Sequence, residues 1–147
     1  MYKRQVLDYV GGQKDLERRI IRTIGSAHDR FLEDHLRMMR AIRFACRLGW
    51  DLDEAVKTAI EDNSSKIQTV SSERIRNELV KILTEGGAAQ GVRWLLDTGL
   101  MHWIIPELTS LEGVPQPPAF HPEGDVLLHT LITVSYTHLT LPTNREV

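Results

Sequence analysis

The segment RFLEDHLRMMRAIRFACRLG, Arg30 to Gly49, sets two adjacent carboxylates, Glu33 and Asp34, just ahead of arginines at positions 37, 40, 43 and 47. Carboxylates only accept hydrogen bonds and guanidinium groups only donate them, so both halves of a recognition edge lie within about one helical turn. One account of the pattern is a solvated face steadied by a Glu33–Arg37 pair worth about 0.2–0.5 kcal/mol. The other is a surface that holds an anion. The use of Arg throughout, with no Lys on this segment, favours the second, because a planar fork suits phosphate and base edges. If Asp34 and Arg37 face one nucleobase, Asp34 accepts from the exocyclic amine of cytosine or adenine while Arg37 donates to the neighbouring ring nitrogen. Guanine and uracil put a carbonyl where the amine would be, and a carboxylate repels it.

The charge distribution agrees with an anionic partner at this place. The 147 residues carry a formal net charge of −2 and are 41 % hydrophobic, which excludes a wholly basic nucleic-acid binder and leaves enough apolar side chain for a modest core. Between Glu17 and Arg47, however, eight arginines stand against four acids, a local net of about +4 able to attract phosphate. Cys46 is alone, so no intramolecular disulfide is possible, and between Phe44 and Leu48 it reads as a small buried apolar residue. No apolar run approaches the ~20 residues of a membrane span and no signal-peptide core is present, so the expectation is a cytoplasmic setting with no membrane partner.

These residues must be positioned by helices. From Phe31 to Leu48 the apolar residues do not alternate, which predicts one continuous helix, with Asp29 or Glu33 near its start and Gly49 as its stop. On that helix Arg37, Arg40, Arg43 and Arg47 fall within an arc of roughly 120°, with Met38, Met39, Ala41, Ile42, Ala45 and Leu48 on the opposite side. Asp51 or Asp53 caps a second helix over Glu54 to Asp62, and Ser71 or Ser72 a third through Ile75, Leu79 and Ile82 to Gly86–Gly87. Ala88 to Asp97 reads as a fourth, ended by Gly99, and MHWIIPEL as a short helix or turn broken by Pro106. SLEGVPQPPAFHPEG is rich in Pro and Gly and predicts a linker, after which Asp125 to Val134 is again helical. No segment alternates with period two, so the fold class is all-α. SYTHLTLPTNREV, residues 135–147, breaks the pattern and looks like a non-native, translated-adapter tail.

Three ordered stretches together carry a resemblance: DYVGGQKDLERRIIRTIG, RFLEDHLRMMRAIRFACRLGW and VSSERIRNELVKIL. They resemble the class II tRNA nucleotidyltransferases, the CCA-adding enzymes, and their poly(A) polymerase relatives, closely over Asp8 to Leu83 and more loosely to His129. The resemblance implies a helical neck and body over residues 29–113 that binds RNA and nucleotide. Residues 1–28 would then be the hinge at the end of the catalytic head, with Asp8, Gly11, Gly12 and Asp15 matching its motif. Tyr9 stands where that family usually has proline. It further implies that Asp34 and Arg37 pair with the incoming base, that Glu33 orients Arg37, that Arg40 and Arg43 help hold the nucleotide, and that Glu73 and Arg74 brace the helix. Glu73 and Arg74 read equally well as an ordinary helix start with i,i+4 pairs.

The implied substrates are CTP and ATP, the implied partner is tRNA or another RNA 3′ end, and the implied cofactor is Mg2+ in the head. The head's Gly-Ser start and Asp-x-Asp metal pair do not occur ahead of the hinge motif, where the opening of the sequence reads as mid-element; Gly25-Ser26 and Asp51-Leu52-Asp53 fall after that motif. No turnover by this polypeptide alone is expected. FHPEGDVLLHTL resembles the opening of an HD-type phosphohydrolase domain, making residues 114–134 a linker and first helix, with His129 as a metal-ligand candidate and His121 a weaker one. Without further ligands, metal binding there is not expected. Trp94, Trp103 and Phe120 have the chemistry to stack on RNA, but core packing is the simpler role.

Overall fold

The computed structural model describes residues 7–117 and 124–140, the last seven of these (134–140) by backbone alone. Among the described residues the helices are α1 (Gly12–Arg18), α2 (Ala27–Glu33), α3 (Arg37–Leu48), α4 (Glu54–Asn63), α5 (Ser72–Thr84), α6 (Ala88–Asp97), α7 (Leu100–Ile104), α8 (Pro106–Thr109) and α9 (Val126–Thr140). A 3-10 helix, Ser64–Thr69, follows α4 directly. The chain is mostly helical, as its periodicity predicts. The helix ends follow from local chemistry. Ser26 accepts the Asp29 N–H at the start of α2, and Asp53, not Asp51, accepts the Ala55 N–H at 3.0 Å to start α4. Gly49 ends α3 at φ 63, a left-handed conformation that costs a residue with a side chain about 1 kcal/mol or more.

Three sequence expectations need correction. The predicted continuous helix from Phe31 is two helices, because Asp34 is extended (φ −151, ψ 105) and its Oδ1 accepts the Leu36 N–H at 3.1 Å, which ends α2 and launches α3. Two strands exist where none was expected: β1 (Ile20–Ile21) and β2 (Asp51–Leu52) pair in parallel, Ile20 opposite Asp51 and Ile21 opposite Leu52. Strands of two residues are too short to show alternation. Helix α9 also runs on through Ser135 to Thr140, where the sequence predicts a break at Ser135. The rest of the expected tail, 141–147, lies outside the described residues, as do Phe120 and His121.

α3 is the central element. It packs on α5, α6, β1 and β2, while α2 lies on α4, α7 on the 3-10 helix, and α9 on α6. Met38, Met39, Ile42 and Ala45 of α3 are fully buried with Phe31, Ile60, Ile82, Leu95 and Leu100 around them. Each of the larger side chains contributes about 1.5–3 kcal/mol by leaving water. Cys46 is buried as expected, and that burial pushes its thiol up to about 11, so it is an inert packing residue. Leu48, assigned by the helical wheel to the core side, is 48 % exposed, because it sits at the edge of the arginine arc.

Candidate functional site

The break at Asp34 shapes the site. Two helix ends meet there, and the carbonyl of Asp34 receives the Arg37 N–H at 3.0 Å, so Asp34 and Arg37 flank one tight turn. Their side chains do not pair with each other; each is held by its own partner. Asp34, with a side chain 27 % exposed, accepts Leu36 N–H through Oδ1 and is met from α5 by Arg74, whose Nη2 lies 3.2 Å from Oδ2. Arg37 donates through Nη1 to Glu33 Oε2 and to the Arg30 carbonyl at 3.2 Å. No partner meets Arg37 Nε or Nη2 among the described residues, so these donors are unused, while the Asp34 carboxylate is held in a fixed orientation.

Glu33 is bracketed on both sides. Arg30 donates to it at 2.9 Å, and the two guanidinium groups hold its carboxyl below the usual glutamate range, Arg37 contributing first. The stabilisation this brings is therefore fully present above the ordinary glutamate pKa and is lost as pH falls through the depressed one. In a carboxyl-detected NMR titration Glu33 should titrate below the usual glutamate range, and Arg37→Met should move its midpoint back up toward that range. An unmoved midpoint would mean that the pair does not persist in solution.

His35, inside the turn, is tied to the end of the 3-10 helix. Its Nδ1 lies 3.0 Å from Thr69 Oγ1, and since that hydroxyl donates to the Lys66 carbonyl at 2.8 Å, His35 Nδ1 is the donor. Neither this tie nor the Arg74 contact on Asp34 has a spacing signal in the sequence, because the partners lie 34 and 40 residues apart.

The arginines of α3 are not one open stripe. Arg40 is exposed with no ion pair among the described residues, and Arg47 is 56 % exposed with Glu85 3.7 Å away. Arg43 turns inward instead. Its side chain is only 10 % exposed and its Nε lies 2.9 Å from Glu78 Oε2 of α5, a contact of opposite charges rather than a well-aligned hydrogen bond, with neither atom finding another partner. Arg43 is therefore spent on fastening α3 to α5, a correction to the expectation that it lines an open nucleotide pocket. Glu73 is exposed in the first turn of α5 with no ion pair among the described residues.

The hinge residues are gathered around α1. Asp8 wraps the start of that helix, accepting from Val10, Gly12 and Gln13 N–H at 2.9–3.1 Å, and these bonds, Gln13's foremost, lower its pKa. Gly11 takes φ 78. Arg22, one residue beyond β1, reaches back to Asp15 at 2.8 Å and to the Val10 carbonyl at 2.8 Å, clasping the segment.

His129 lies half-buried on α9, and no three His, Cys, Asp or Glu side chains among the described residues gather into a metal site. Trp94 is half-buried and Trp103 is 38 % exposed beside His102. A concavity of about 520 Å³ lies between the start of α2 and α4, lined by Ser26, His28, Asp53 and Asp62 among others, and Asp34 does not line it. No helix among the described residues is long and apolar enough to cross a membrane.

Residues 49–112 match the family described as the probable RNA and SrmB-binding site of polymerase A. The CCA-adding enzyme of Geobacillus kaustophilus is 43 % identical over 99 residues, covering 67 % of this chain and 24 % of that protein. Among solved structures, the Bacillus stearothermophilus CCA-adding enzyme in complex with CTP superposes with a TM-score of 0.62 at 44 % identity, over 64 % of this chain and 24 % of that one. A tRNA nucleotidyltransferase complexed with a primer tRNA and an incoming ATP analog gives 0.61 at 25 % identity, over 80 % of this chain and 32 % of that one. The chain thus spans between about a quarter and a third of the length of these relatives.

Proposed function

We propose, since this chain belongs to the CCA-adding enzyme family of RNA 3′-end nucleotidyltransferases, that it is the neck and body of such an enzyme, reading the base of an incoming CTP or ATP and binding the RNA that receives it. The observation that carries the reading is the Asp34–Arg37 turn, an acceptor of fixed orientation and an arginine with unused donors. Cytosine offers an amine next to a bare ring nitrogen, and so does adenine; guanine and uracil offer a carbonyl next to a ring N–H, which mismatches both side chains at once. Glu33 keeps Arg37 in place from behind, Arg74 does the same for Asp34, and Arg40, one turn on, faces the nucleotide's phosphates.

The parent's activity on this reading is addition of C and A to a tRNA 3′ end. Such a reaction draws on divalent metal ions to activate the attacking hydroxyl and stabilise the leaving pyrophosphate. The described residues do not fit such an ion, because no three ligating side chains converge among them. What this chain supplies is selection and orientation. The segment from Val114 onward we assign to the opening of an HD-like helical domain, a reading supported by the sequence FHPEGDVLLHTL alone.

Equilibrium binding of the four nucleoside triphosphates to this chain tests the assignment. CTP and ATP should bind at least roughly tenfold more tightly than GTP and UTP, the cost of leaving a polar edge unmatched. Asp34→Asn keeps an acceptor for Leu36 N–H but places an amide toward the base, so the preference should collapse to within about twofold while phosphate-driven binding persists. Equal binding of all four by the unsubstituted chain would reduce the arginines to phosphate contacts.

A further inference from the structure

The outward side of α3 beyond the base-reading turn carries a ring, Phe44, and an arginine, Arg47, that this function does not use, beside Arg40, which it does. At helical spacing Arg40, Phe44, Arg47 and Leu48 share one face. Phe44 is 38 % exposed and Leu48 48 %, so part of a benzene ring meets water between two guanidinium groups. The ring is not loose. The guanidinium carbon of Arg43 lies 4.5 Å from its centroid, and Arg43 is itself buried against Glu78, so the ring rests on a fixed cation while 38 % of the residue's surface stays open.

A lone ring with one leucine beside it is too small an apolar patch to seat a folded protein partner, and the flanking charges argue against a lipid tail. It does match one flat aromatic group with anions on either side. Arg40 and Arg47 are separated by a rise of about 10 Å along the helix, with Phe44 between them. Among the described residues the acid that meets this face is Glu85, 3.7 Å from Arg47 and shared with Arg43 at 3.8 Å, so the face keeps a positive surplus. Stacking on the ring and pairing at both ends are what one unpaired nucleotide of a single strand requires.

We propose that Phe44 is a stacking platform for a single unpaired RNA base, with Arg40 and Arg47 holding the phosphates on its two sides. The inference rests on the reading of this chain as part of an RNA 3′-end enzyme and adds where the strand is gripped. The platform lies two turns along α3 from Arg37, so a strand held there leads toward the turn that reads the incoming nucleotide.

The test is fluorescence anisotropy of the full chain with a labelled single-stranded octaribonucleotide, its abasic counterpart and a DNA octamer of the same sequence. Phe44→Leu keeps the helix face apolar and should weaken binding to the octaribonucleotide roughly tenfold. It should leave binding to the abasic backbone unchanged. Arg40→Gln and Arg47→Gln should each lower the slope of affinity against salt by about one, and Phe44→Trp should retain affinity while its emission is quenched by the bound strand. Circular dichroism and melting temperature of each variant report folding, and the tryptophan variant keeps the proposal open to refutation should leucine fail to fold. A leucine variant that folds and binds like the parent, unquenched emission from the Phe44→Trp variant, or absence of measurable octaribonucleotide binding would overturn the platform. Tighter binding of the DNA octamer than of the RNA would overturn RNA as its ligand. The CTP and ATP preference of the unsubstituted chain is a separate measurement: its absence with an intact leucine effect would sink base reading at Asp34 and leave the platform standing.

Discussion

Glu78→Ala should lower the stability of this chain by about 3–5 kcal/mol, the cost of leaving a buried charge without its counterion. Arg43 and Glu78 meet at 2.9 Å between α3 and α5, with side chains only 10 % and 9 % exposed. The gain from bringing them together is modest, because both charges gave up water to reach each other; the loss on removing one is large, because the other remains out of water. Glu85 does not substitute, being 3.8 Å from Arg43 and already shared with Arg47. Lys81, 3.3 Å from the other oxygen of Glu78, would lose a partner but is exposed enough to be resolvated. Urea denaturation followed by circular dichroism checks the prediction through the midpoint at constant slope. The paired replacement Arg43→Met with Glu78→Leu should recover most of the loss, since apolar side chains of similar volume do not require a counterion. A drop below about 1 kcal/mol for Glu78→Ala would mean that water reaches the pair.

A second large effect is expected where three helices touch. In the interior of an exposed helix, replacing Gly by Ala is stabilising by about 1 kcal/mol. At Gly91 the sign should reverse. A Cβ there would overlap Cγ2 of Ile82 on α5 and lie 3.0 Å from the sulfur of Cys46 on α3, so α6 would have to move away from both neighbours. Gly91→Ala should therefore destabilise by about 1–3 kcal/mol, and Gly91→Val by more. The clash belongs to a particular methyl group. Ile82→Leu, which lacks a branch at Cβ, should absorb part of the cost, giving a coupling energy of about 0.5–3 kcal/mol in a double-mutant cycle followed by thermal melting. Strict additivity of the two substitutions would show that α6 shifts as a body instead.

What the sequence reveals and what it hides divide along the range of the interactions involved. The glycines just past the ends of α3, α5 and α6, Gly49, Gly86 and Gly99, are legible because a left-handed residue is a local demand that glycine meets cheaply, and all three have positive φ. Asp53 as the start of α4 is legible for the same reason. The interruption at Asp34 is hidden because the apolar period runs through it unbroken, and one extended residue with its own side-chain bond leaves no mark on a wheel. The inward turn of Arg43 is hidden differently: an arginine on the basic arc looks solvated until Glu78, far along the chain, arrives on a neighbouring helix. The paired strands escape notice because two residues carry no pattern. The charged edge formed by Glu33, Asp34 and Arg37 is visible as a set of residue types, whereas the restraints on it, Arg30 behind Glu33 and Arg74 on Asp34, come from the fold.

Asp34 has two duties. The carboxylate proposed to read the base also accepts, through Oδ1, the amide that begins the buried helix at the centre of the chain. Any replacement meant to retune selectivity must still offer an acceptor two residues ahead of Leu36, which shortens the useful alphabet to asparagine, serine and threonine. Retuning this position is thus a search through a handful of side chains, and an alanine scan would confuse a lost contact with a displaced helix.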